Sequence, residues 1–136
     1  MANFYFAELS GDHIVPPVLT TATGFSAFSF NDNFTLLNFV IRVNEVNKLK
    51  AANLRFGTQN TNRSIVTILF ESCTRSITVN PGTVSGTVMN TDLIGPLSGR
   101  NLIDLARQME LGHIYVSIAS EKYPTGEISG KLIPAV

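Results

Sequence analysis

The chain has 136 residues, the size of one domain able to close its own core without staples. Only 15% are charged, ten basic against ten acidic, below a typical share of about 25%, and no run of like charge occurs. That excludes the basic stripe of a nucleic-acid binder and the polybasic patch of a membrane-surface protein, and no apolar run approaches the ~18 residues of a membrane span.

Apolar residues recur with period two from the start. Residues 3–11, NFYFAELSG, predict a first strand stopped by Gly11-Asp12. Pro16 and Pro17 in IVPPVL cannot donate to a ladder, so that segment reads as an edge or crossing. Residues 23–31 (TGFSAFSFN) and 34–46 (FTLLNFVIRVNEV) predict a hairpin across the polar turn Asn31-Asp32-Asn33. Residues 51–57, 65–72 and 83–90 predict further strands, and RSITVNPG (75–82) a short one. The rhythm then changes. Leu102, Leu105, Ala106 and Met109 fall at i, i+3, i+4 and i+7, which predicts an amphipathic helix of about three turns. Asn101 or Ser98 can cap its start and Gly112 suits its end. HIYVSIAS (113–120) and GEISGKLIP (126–134) predict a final hairpin. Neither a repeat nor a domain boundary interrupts residues 1–136, and seven to nine strands imply one sandwich or Greek-key barrel.

Residues with chemical potential are few. Cys73 is the one cysteine and cannot close an intrachain disulfide. His13 and His113 stand far apart in sequence, where a metal needs three or four convergent ligands. GTVSGTV (82–88) has no lysine and is not a phosphate loop; no Gly-x-Ser-x-Gly elbow occurs. The carboxylates, Glu127 among them, are scattered singly. Two glycosylation-type triplets begin at Asn33 and Asn62, a pattern common by chance. The expectation is no catalytic residue, no metal and no cofactor. In AANLRFG (51–57), Arg55 alternates with Leu54 and Phe56. It reads as a solvated arginine on an outer strand face, or as a partner contact or a salt bridge to a carboxylate such as Glu71 on the next strand.

Several strands are apolar on both faces. Tyr5, Ala7 and Leu9 fit the core parity of the first strand, which leaves Phe4 and Phe6 outside. Phe28 and Phe30 fit the core of the second, leaving Phe25 and Ala27; Leu37, Phe39, Ile41 and Val43 fit the third, leaving Leu36 and Val40. A one-sided sheet would be polar there. Phe4, Phe6, Phe25, Leu36 and Val40 must be covered by the helix, by a loop or by another subunit. With so few charges to oppose association, a homo-oligomer or polymer is expected.

The order of several motifs resembles a CHRD (chordin-type) domain: AELSGDHIVPPVLTTATGFSAFSFN, an Ala-rich fourth strand, a helix ending in Gly, YVSIAS and PTGEISGKL. The likeness covers about residues 4–134. It implies an immunoglobulin-like β-barrel, so the expected class is all-β, an immunoglobulin-like or Greek-key β-sandwich or barrel with one short late helix. It also implies extracellular or surface-layer settings and no general enzymatic activity. The family often carries Ala-His-Ile-His in the fourth strand, where this chain has Ala52-Asn53-Leu54-Arg55, and Tyr-Val-Asn-Val-His later, where it has Tyr115-Val116-Ser117-Ile118-Ala119. All three imidazole positions are replaced, so the resemblance implies a scaffold with an emptied site. The leading expectation is a non-enzymatic structural or interaction protein that self-associates. A module for carbohydrate or matrix recognition is the alternative, and a degenerate metalloprotein of superoxide dismutase architecture ranks third. The opening MANFYFAELSGD has no secretion-type pattern, which suits a coat or spore-surface layer built by the cell that makes it.

Overall fold

The computed structural model describes residues 3–11, 22–44, 49–57, 64–71, 83–120, 123 and 128–134. Among them are nine strands and one α-helix: β1 (Phe4–Ser10), β2 (Thr23–Phe30), β3 (Leu36–Asn44), β4 (Leu49–Phe56), β5 (Ser64–Glu71), β6 (Thr83–Met89), α1 (Leu102–Glu110), β7 (Ile114–Ser120), β8 (Ile128–Lys131) and β9 (Ile133–Pro134). The segments with Pro16 and Pro17, His13, Cys73, Glu127 and the strand read at 75–82 lie outside the described residues.

All strands join one sheet in the order β5-β4-β7-β8-β1-β2-β3-β6, with β9 pairing β1, and the pairings are antiparallel. The two ends of this order curl toward each other. The connection that follows β6 bridges them: Ile94 N–H donates to Val66 O at 2.7 Å and Thr67 Oγ1 donates to Asp92 O at 3.0 Å. The result is a nearly closed antiparallel barrel with its core inside.

Period-two patterning dictates which side chains enter. Tyr5, Ala7 and Leu9 of β1, Phe28 and Phe30 of β2, and Leu37, Phe39, Ile41 and Val43 of β3 are buried together in one cluster. Phe28 and Phe39 face each other in register and stack at 5.9 Å. The β2–β3 turn is held by Asn31, whose Oδ1 accepts from the amides of Thr35 (2.8 Å) and Leu36 (3.1 Å). Within it Phe34 adopts φ 56, an unusual region for a bulky residue. Its ring contact with Phe30, 5.1 Å between centroids, holds it there.

The helix closes the core rather than lying over the outer face. Leu102, Leu105, Ala106 and Met109 are completely buried, and the helix packs near β7 and β9. Burial of each large side chain contributes roughly 1.5–3 kcal/mol. Its free amides are satisfied from two sides: Leu102 N–H donates to Asn90 Oδ1 at 2.7 Å and Asn101 N–H to Asp104 Oδ2 at 3.2 Å. At the other end Gly112 takes φ 79 while its N–H reaches Met109 O, and His113 N–H reaches Gln108 O. This six-to-one and five-to-two pair stops the helix, and glycine meets the left-handed requirement without strain.

Candidate functional site

Two surfaces hold the residues singled out by sequence. The first is the outward face of β4 and β7. Ala51 lies opposite Ala119, Asn53 opposite Ser117, and Arg55 opposite Tyr115. The three positions where the family resemblance calls for histidine, Asn53, Arg55 and Ala119, thus share one face of two neighbouring strands. An amide, a guanidinium and a methyl are poor replacements for imidazole ligands. Among the described residues there is no group of three or more His, Cys, Asp or Glu able to hold a metal ion.

This face corrects the picture of a solvated Arg55. Arg55 is half-buried, and its Nε donates to Asn53 Oδ1 at 3.0 Å. Burial pushes the pKa of its guanidinium down from the ordinary value. Asn53 and Ser117, only 6% and 5% exposed, are also enclosed, although they point away from the core side chains Leu54 and Val116. The expected bridge to Glu71 does not fit the register. Glu71 lies opposite Ala51, whereas Arg55 lies opposite Ile65. Four strand residues separate the two positions, about 13 Å. His113 is placed structurally: Nδ1 lies 3.0 Å from Gln108 Oε1 and the ring meets Phe56 edge-on.

The second surface is the outer face of β1, β2 and β3, which are neighbours in that order. Phe4, Phe25 and Val40 are 43%, 46% and 42% exposed, and Phe6 is half-buried. Neither helix nor described loop covers them. Register organises the face into rows. Phe6 lies opposite Ala27, Ala27 opposite Val40, and on the far side Phe6 opposite Ile133, so an apolar stripe crosses the strands. Phe25 stacks on Phe6 at 6.2 Å with 21° between the planes. The next row runs Glu8, Phe25, Arg42 and the row on the other side Phe4, Ser29, Asn38.

Leu36 does not belong to the same stripe. It pairs with Met89, two residues beyond Asn38, which accepts a hydrogen bond from Thr87 Oγ1 at 2.9 Å. Leu36 and Met89, both exposed, form a separate apolar spot beyond this polar pair. Sequence parity found the outward residues but not their rows, because rows require register. Ile133 and Met89 join the face for that reason, unsignalled by the alternation of β1 to β3.

A search of curated proteins found no match to this chain. The family model described as the CHRD domain matches residues 5–132, nearly the full length: it spans β1 from its second residue through the end of β8 and stops before β9. The chain belongs to the CHRD domain family.

Proposed function

We propose that this protein is a non-enzymatic structural or interaction protein that self-associates through the outer face of β1, β2 and β3. One observation carries the reading: the outward apolar stripe of half-buried Phe6 and Ala27 and exposed Val40, flanked by the exposed Phe4 and Phe25. Covering an apolar patch of several hundred Å² at about 25 cal/mol per Å² contributes several kcal/mol per subunit before association costs. Ten positive and ten negative charges over the whole chain give no net repulsion to oppose it. The replaced imidazole positions at Asn53, Arg55 and Ala119 support a role without metal chemistry. An immunoglobulin-like Greek-key wiring belongs to the same proposal; the neighbours β4–β7 and β3–β6, distant in sequence, support it. A coat or surface layer is the setting that fits a self-assembling barrel.

Light scattering on the purified protein tests this. The expected result is an oligomer or polymer that Phe4→Asp combined with Phe6→Asp dissociates, with the β circular dichroism retained. A wild type that stays monomeric at high concentration overturns the proposal and favours the ligand-binding alternative.

A further inference from the structure

The rows of the outer face carry a geometry that a second copy of this chain can read. In one row Glu8 on β1 and Arg42 on β3 flank Phe25 on β2. Both charged residues are exposed. Their strands lie two spacings apart, about 10 Å. We infer that this face closes an isologous dimer whose two-fold axis runs along β2. The inference rests on the self-association proposed above and assigns its symmetry.

A rotation of 180° about an axis along β2 keeps each row and exchanges its ends. Glu8 of one copy then faces Arg42 of the other, twice per dimer. Phe6 faces Val40, a large side chain against a smaller one, across the small Ala27. Phe25 meets Phe25 on the axis, and Ser29 meets Ser29. The opposite choice, an axis across the strands at Ala27, would set Glu8 over Phe4 and Arg42 over Asn38. It would desolvate a carboxylate against an aromatic ring with no cation in reach, which is costly. Charge complementarity therefore selects the first axis.

The size also suits a dimer. Strands β1, β2, β3 and β6 span about 19 by 25 Å, roughly 480 Å² in projection and more as accessible surface. That is the order of the ~800 Å² per partner in a standard interface. An isologous contact closes on itself, so this face alone makes dimers and not fibres.

Charge exchange tests the axis. The dissociation constant is measured by sedimentation equilibrium for wild type, Glu8→Arg, Arg42→Glu, the double variant, and an equimolar mixture of the two single variants, with circular dichroism as a fold control. Each single variant places like charges opposite each other and should weaken the dimer by about tenfold or more. The mixture and the double variant restore both pairs and should return close to wild-type affinity. A second readout uses a short bis-maleimide in a Cys73→Ser background. Phe25→Cys and Ser29→Cys, on the axis, should cross-link to themselves, whereas Val40→Cys, which faces Phe6, should not. A monomeric wild type overturns the self-association reading and the dimer with it. A wild type that associates while the single variants keep its affinity, or while the mixture fails to recover, overturns this axis alone. Self-cross-linking of Val40→Cys but not Phe25→Cys does the same.

Discussion

The phenol of Tyr5, on the first strand, donates a 2.7 Å hydrogen bond to Oε1 of Glu110, the last residue of the helix and 105 positions further on. Tyr5 is fully buried. A carboxylate at a helix C-terminus meets the negative end of the helix dipole, and the phenol gives it a donor there. The contact fastens the helix to the barrel wall.

Burial, and then the hydrogen bond and charge of Glu110, push the Tyr5 pKa well above the ordinary phenol value of about 10. Below pH 10 both states hold the proton and the contribution is complete. Above it the unfolded chain loses its proton first, so stability falls as pH rises further. Tyr5→Phe should cost about 1.5 kcal/mol at neutral pH and should flatten the loss above pH 10. Denaturant midpoints of both proteins from pH 8 to pH 11 check this.

Leu105→Ala and Met109→Ala remove completely buried side chains from the helix stripe. Each should destabilise the domain by roughly 2–5 kcal/mol. Arg107→Ala, on the exposed side, should shift the urea midpoint little.

Gly95 and Gly99 both have positive φ, 60° and 78°. An added Cβ at Gly99 meets nothing within 4 Å, whereas at Gly95 it would fall on the carbonyl oxygen of Ile65. Gly99→Ala should cost about 1–2 kcal/mol, the left-handed penalty alone. Gly95→Ala should cost roughly 1–3 kcal/mol more, because backbone must shift. Equal melting losses for the two would show that the β5 contact yields freely.

Metal removal should change nothing. Prolonged chelation is expected to leave the thermal midpoint where it was, and elemental analysis should find no stoichiometric zinc or copper. The basis is the donor set at Asn53, Arg55 and Ala119.

Period-two parity made β1, β2 and β3 legible, since an unbroken apolar set such as Tyr5, Ala7 and Leu9 or Leu37, Phe39, Ile41 and Val43 marks the inner face, while polar residues such as Glu8, Asn38 and Arg42 interrupt the other. The helix was legible for the same reason at a different period, with Asn101 and Gly112 marking its ends. The face of β4 and β7 was not. Asn53, Ser117 and Tyr115 alternate like wet positions, yet they are buried. Burial on both sides comes from non-local neighbours, and the pairing of β4 with β7 joins residues 58 to 71 positions apart. The same limit hid the offset between Arg55 and Glu71: strand adjacency is readable from a short connection, but the register that separates the two positions is shifted by irregularities at Ala52/Asn53 and Leu54/Arg55.

The pairing of β1 with β8 and β9 has a consequence for how the chain comes to be folded. Tyr5 finds Pro134 and Ser10 finds Ser129, so one seam of the barrel joins its earliest strand to its latest. During synthesis, β1, β2 and β3 can form a three-stranded meander early, since each pairs with the next. That meander is apolar on both sides, and its inner side stays uncovered until the last strands leave the ribosome. Such long-range closure places folding in the slow, millisecond-to-second class. The nascent chain is therefore most vulnerable to aggregation before β8 and β9 reach β1, while the inner phenylalanines Phe28, Phe30 and Phe39 are exposed together with the outer Phe4 and Phe25.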